Sequence, residues 1–253
     1  MSKHDPRRAA PAAHAARRLF LRGGTGVVVG AALPAWAAPA AVPAPGDAPP
    51  VYPTRLPAAV SMDYGLSYGM ISGSGRLTWQ PPLAGRYQMQ LVGRALGLQL
   101  IEWTSEGGVD AAGLAPWRFT EKRLGRDPQV AEFRREAGRI HYPARPERDV
   151  PLPRGTQDRL SWLVQLPAIL RADPALQRPG RRIALFVSGA RGDADRWEFE
   201  VRDAADGLLH VRRLPPPSAE VQGEAWLAPG EDLLPVRVRL AKDGDVLEMR
   251  RRG

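Results

Sequence analysis

From Ser61 to Met249 the chain consists of short alternating runs broken by Gly, Pro or Asp, and one segment alone, Gln157 to about Arg171, carries a helical pattern. That imbalance constrains the fold more than any other feature. Arg86–Leu91 alternates cleanly, with Tyr87, Met89 and Leu91 on one face. Ile183, Leu185 and Val187 alternate in the same way, as do Trp197, Phe199 and Val201. Further strand runs are expected at 75–79, 98–104, 116–122, 130–135, 139–142, 208–213, 223–227, 236–240 and 246–249. Asp243-Gly244 is a two-residue hairpin signal. Ser72–Gly75 and Gly107-Gly108 read as turns. Roughly ten to twelve such strands with hairpin-sized connections predict an antiparallel meander, and there is too little helix for a doubly wound α/β fold. The expected class is mainly β: an antiparallel meander curved into a half-barrel or open barrel around one main α-helix.

The helix is expected to provide the cover that the apolar face of such a sheet requires. Leu160, Trp162, Leu163, Val164, Leu166, Ile169 and Leu170 go most of the way round it. A helix apolar over most of its circumference is a buried one. Its polar residues Asp158, Ser161 and Gln165 form one narrow stripe. Thr156 is placed to cap the N-terminus and Asp158 to sit in the first turn, where the helix dipole favours a negative charge. Pro167 lacks an N–H, so a kink or restart is expected there.

The N-terminus reads as an address. Lys3, Arg7, Arg8, Arg17, Arg18 and Arg22 stand against one acid, Asp5, and precede a weakly apolar run, TGVVVGAAL. That run is shorter than the about 20 apolar residues that span a bilayer. Arg17-Arg18 followed by Phe20-Leu21 has the layout of a twin-arginine export signal. An ordinary secretory signal is the alternative, because the chain holds 33 Arg and 3 Lys and paired arginines are common in it. Ala35-Trp36-Ala37 is the expected cleavage site. The organisation expected is therefore a signal peptide at 1–37, a Pro/Ala-rich linker at 38–50 and a single β-rich domain at 51–253. The expected product is soluble and periplasmic, without a stable membrane anchor, and meets the twin-arginine translocase during export.

Composition narrows the function. Residues 1–37 carry six basic residues and one acid, so 30 basic and 26 acidic residues remain beyond them and the net charge falls from +9 to +4. The excess is spread along the chain, which argues against nucleic-acid binding. With no Cys there is no disulfide framework, thiolate metal site or lipid-attachment cysteine. His141 and His210 lie in separate strand runs with no accompanying ligand spacing, so no metal is expected. No nucleophile elbow, phosphate loop or dinucleotide fingerprint is present, so no cofactor and no catalytic residue are assigned.

Six Trp beyond residue 37 are many for one domain, and they read either as core and rim or as the lining of an apolar pocket. The candidate lining residues are Trp79, Tyr87, Trp103, Trp162, Leu166 and Trp197. Gln157 and Asp158 are candidate polar anchors at the pocket mouth, although capping and bonding to a neighbouring strand serve equally well.

Several segments together resemble a known family. They are Tyr64-Gly65 to Tyr68-Gly69, Ser105-Glu106-Gly107-Gly108, Gly113–Phe119 (GLAPWRF), Thr156–Ser161 (TQDRLS) and Leu233–Arg237 (LLPVR). The chain is similar over about Tyr64 to Met249 to the exported bacterial proteins catalogued as domain of unknown function 3108. The resemblance implies an exported, mostly β protein with no assigned activity. Its plan is similar to the half-barrels of periplasmic lipoprotein carriers, from whose lipid-anchored relatives this chain departs in having no Cys.

Three functions are consistent with these readings. The first is a non-catalytic periplasmic module that binds an apolar or amphipathic envelope ligand, such as a lipid or hydrophobic small molecule, between sheet and helix. The second is a structural or interaction protein of the envelope with a packed interior. The third is an envelope-polymer hydrolase using Asp158.

Overall fold

The computed structural model describes residues 49–203, 205–215, 221–242 and 244–252. The export-signal residues Arg17, Arg18, Phe20 and Leu21, the cleavage residues Ala35 and Ala37, and linker residues 38–48 lie outside the described residues.

Fifteen strands form one sheet. The first arm holds β1 (Val60–Tyr68), β2 (Ile71–Leu83), β3 (Arg86–Ala95), β4 (Leu98–Asp110), β5 (Gly113–Arg123), β6 (Gln129–Arg134), β7 (Arg139–His141) and β8 (Val150–Pro151). The second holds β9 (Gln157–Asp158), β10 (Arg182–Ser188), β11 (Ala194–Asp203), β12 (Leu209–Arg213), β13 (Val221–Ala228), β14 (Leu234–Lys242) and β15 (Asp245–Arg251). Each arm is a meander, and the two are joined where β1 pairs with β15, leaving β8 and β9 as the outer edges. All pairings are antiparallel except β9 with β10.

The chain connection forces curvature. Only residues 152–156 link the two outer edges, and a chain that long reaches about 20 Å at most. The sheet must therefore curl until its edges nearly meet, as a right-handed twist allows. The two ends of this near-closed barrel differ. Strand direction alternates, so the β1–β2, β3–β4, β5–β6 and β14–β15 turns share one end, and the β2–β3, β4–β5 and β13–β14 turns share the other.

The helix α1 (Trp162–Ala172) plugs the second end. Gln165 bonds the β4–β5 turn region, and Arg171 pairs with Asp232 of the β13–β14 turn at 2.7 Å. Every residue from Trp162 to Leu170 is buried. The helix begins at Trp162 rather than Gln157, because Gln157 and Asp158 belong to β9 and pair with Val187 and Ser188. Thr156 donates its hydroxyl to Pro153 O (2.6 Å) and caps nothing. The helix does not restart at Pro167 but runs through it. Burial of each large apolar side chain contributes about 1.5–3 kcal/mol. Several together outweigh the roughly 3 kcal/mol cost of an internal proline.

Two glycine segments expected as turns lie inside strands. Ser72–Gly75 is part of β2, and Gly107-Gly108 is part of β4, next to a bulge at Glu106/Gly107. A Cβ on Gly107 would lie 2.5 Å from Ala115 O and 2.6 Å from the Tyr87 ring. Close strand approach, not a change of direction, requires glycine there.

A candidate ligand-binding cavity

At the helix end the polar groups bond mainly to one another and to the backbone, with Gln157 Oε1 left unpaired. Asp158 is fully buried. Its Oδ1 accepts from the N–H of Leu160 (2.8 Å) and of Ser161 (2.7 Å), so this carboxylate, from outside the helix, caps the turn that leads into α1. Its Oδ2 accepts from the Ser105 hydroxyl at 2.5 Å. Ser105 has one proton, so the Tyr87 hydroxyl donates to Ser105 Oγ (2.9 Å) and the chain runs Tyr87 to Ser105 to Asp158. Burial pushes the Asp158 carboxyl up to about 6, against the pull of Ser105 and the two backbone N–H groups. Burial also pushes the Tyr87 phenol well above its ordinary value, with the Asp158 charge adding to the effect.

Two glutamines complete this clamp. The pairing of β5 with β6 covers Arg118–Glu121, which leaves Gly113–Pro116 without a strand neighbour on that side. Gln165 supplies the missing partners, accepting from Leu114 N–H (2.8 Å) and donating to Ala112 O (2.7 Å). Gln157 donates to Leu114 O (2.8 Å). Buried backbone groups need such partners. The stripe of Asp158, Ser161 and Gln165 thus faces β4 and β5 and fastens the helix to the sheet. Gln157 and Asp158 do not stand at a cavity mouth.

The opposite end is hollow. A cavity of about 380 Å³ is walled by Leu66, Ile101, Trp103, Trp197, Leu240 and Leu247, a volume within the range of about 300–1,000 Å³ for small-molecule sites. Glycines shape it: Gly75 and Gly93 face each other across β2 and β3. A Cβ on Gly93 would lie 2.6 Å from Ile101 Cγ1 and 2.8 Å from Leu66 Cδ1. Arg94, Arg123, Arg126, Arg159 and Arg191 also line the cavity. A second, more polar cavity of about 580 Å³ adjoins the first and shares Arg123, Arg126 and Arg191 with it.

Of the residues that the sequence nominates as lining, Trp103 and Trp197 wall the cavity. Trp79, Tyr87, Trp162 and Leu166 lie in the packed layer between cavity and helix end, each with 0–2% of its surface exposed. Trp162 stacks on Phe199 (ring centroids 5.1 Å apart) and tilts against Trp197 (5.8 Å), which forms the boundary between packed core and cavity. None of α1 lines the cavity. Of the described histidines, His141 bonds Asp149 at 2.9 Å, and His210 stacks on Trp226 at 4.6 Å. Among the described residues no cluster of His, Asp and Glu is arranged to hold a metal ion, and no helix is long and apolar enough to cross a membrane.

A curled sheet plugged at one end by a helix and hollow at the other defines a barrel-like, mainly β protein. By its sequence the chain belongs to the family described as Protein of unknown function (DUF3108), whose model matches residues 60–249. It is similar to a solved structure described as a β-barrel-like protein of domain of unknown function DUF1849 from Brucella abortus. The two share 12% identity with a TM-score of 0.49, over 79% of this chain and 97% of that one. No curated protein matches the chain.

Proposed function

We propose that the chain is an exported, periplasmic, non-catalytic binding module for an apolar or amphipathic ligand of the cell envelope. The observation that carries this reading is the cavity between Leu66, Trp103, Trp197 and Leu247. Its place differs from the one expected from sequence: the ligand enters at the hairpin end, not between sheet and helix. Exposed Met70 and Leu124 on the surrounding hairpin tips give an apolar chain a route to the mouth. A structural protein with a packed interior would need no such cavity. A hydrolase using Asp158 would need that carboxylate to reach substrate, and it is fully buried.

Native mass spectrometry of protein purified from the periplasm tests the reading. The expected result is a bound mass or, for bare protein, saturable uptake of fatty acids and a hydrophobic dye. Bare protein that takes up neither counts against it. Replacing Arg17 and Arg18 by Lys should leave the precursor inside the cell, and normal export of that variant would point to the ordinary secretory route.

A further inference from the structure

We infer that the ligand carries an anionic head group, a carboxylate or a phosphate, received by the arginines where the two cavities meet. The inference rests on the binding-module reading above and adds the chemistry of the head.

Charge is the first support. Arg94, Arg123, Arg126, Arg145, Arg159 and Arg191 line the two cavities. The carboxylates that line or pair with them are Glu121, Asp127 and Asp193. Six arginines thus line the two cavities against three carboxylates, although Arg94 also lines an outer groove beside Asp63. Glu121, itself buried, serves two of them at once: Arg123 at 2.7 Å and Arg191 at 3.1 Å. Arg94 and Arg126 are exposed and have no carboxylate partner among the described residues.

Unmet donors are the second support. Trp103 Nε1 and Arg159 Nε are buried, have no hydrogen-bond partner, and belong to residues that line the apolar cavity. Buried donors without acceptors are uncommon and call for an explanation. Each would accept nothing from a ligand and can only donate to one, so they favour an oxygen-rich anion over a cationic head.

Geometry is the third. Arg123, Arg126 and Arg191 belong to both cavities, so the apolar space leads to the polar one past three guanidinium groups. An acyl chain in the first cavity would bring its head group to that passage. The planar forks of guanidinium match carboxylate and phosphate oxygens two at a time, which hydroxyl and ammonium heads cannot reproduce.

The test is displacement of a neutral hydrophobic dye from the full-length chain by four ligands with the same dodecyl chain: dodecanoate, dodecyl phosphate, dodecanol and dodecyltrimethylammonium. At least one anion should bind about tenfold more tightly than dodecanol, the size of effect expected of charge-assisted hydrogen bonds. That preference should shrink at high salt, since these arginines are partly exposed. The variant R126A alters a residue that lines both cavities and removes no acid's partner. It should weaken the anion about tenfold and leave dodecanol unchanged. A stronger carboxylate points to free fatty acids as the source, and a stronger phosphate to phospholipid head groups. If dodecanol binds as tightly as both anions, or R126A weakens all ligands equally, the anionic head is ruled out and the apolar cavity stands. If no ligand displaces the dye, the binding-module reading fails with it.

Discussion

The two ends of the curled sheet use polar residues in opposite ways. At the helix end, Tyr87, Ser105, Asp158, Gln157 and Gln165 bond one another and the backbone of β5 and of the chain entering α1, deep in the interior. At the hairpin end, arginines outnumber their acids and two buried donors on the lining have no partner. Satisfied buried networks rigidify a fold. Unsatisfied, partly exposed groups around a cavity remain available to something outside the chain. Burial of a polar residue therefore says little by itself here; what its hydrogen bonds reach says which end it serves.

The largest effect should come from cutting the clamp. Asp158→Ala leaves the Leu160 and Ser161 N–H groups and the Ser105 hydroxyl without their acceptor in a sealed interior. Unsatisfied buried groups cost about 1–3 kcal/mol each. We expect a loss of about 4 kcal/mol in chemical denaturation. Asp158→Asn keeps the cap through its carbonyl oxygen, while its amide can donate to Ser105 Oγ if Ser105 turns its proton toward Tyr87, so the cost should be far smaller. The pair also isolates a pH effect. Asp158 titrates near 6 when folded, above the ordinary 3.8 that it regains on unfolding. A raised acid stabilises the fold fully below its unfolded pKa, and that contribution is lost as pH rises through the folded value. From pH 4 to pH 7 the wild type should therefore lose roughly 2 kcal/mol relative to Asp158→Asn. A difference between the two that stays flat across this range would show that Asp158 is not held in a desolvated site.

The helix end was readable from sequence in outline. The spacing of Asp158, Ser161 and Gln165 stands out in an otherwise apolar segment, and so does the alternation of Tyr87, Met89 and Leu91. What these residues bind was hidden, because Ser105 and Leu114 lie about fifty positions away and nothing local marks them as partners. Glycine pairs were ambiguous for a different reason. Glycine marks either a turn or a close approach of backbones, and only the neighbouring strand distinguishes them. The arginines at the mouth carried no signal. They come from β3, β5, the β5–β6 turn, the β10–β11 turn and the segment after β9, in a chain with 33 arginines. Only the closure of the sheet collects them.

Two glycines sharpen the contrast with a middle-sized effect. Alanine at Gly107, on the helix-end half of β4, would press its Cβ against Ala115 O at 2.5 Å and Pro116 Cα at 2.7 Å, both backbone atoms. Strands cannot separate without breaking their ladder, so Gly107→Ala should cost about 3 kcal/mol, the upper part of the usual overpacking range. Alanine at Gly93 meets only the side chains of Ile101 and Leu66, which can move into the cavity. Gly93→Ala should cost about 1 kcal/mol and should weaken dye uptake by narrowing the cavity. Equal losses of stability for the two would mean that the hairpin end is packed as tightly as the helix end.

The smallest stability effect is expected where the effect on ligands is largest. Arg126 is exposed and pairs with no carboxylate among the described residues. Arg126→Ala should shift folding stability by no more than about 0.5 kcal/mol. Like charges around the mouth repel, so a small gain in thermal midpoint is as consistent with this arrangement as no change. A loss well above 1 kcal/mol in thermal unfolding would instead give Arg126 a structural task like that of Gln165. The two ends would then be variations on one clamp. Near-neutral stability together with weakened anion binding would keep them distinct, one end holding the fold and the other holding what the fold carries.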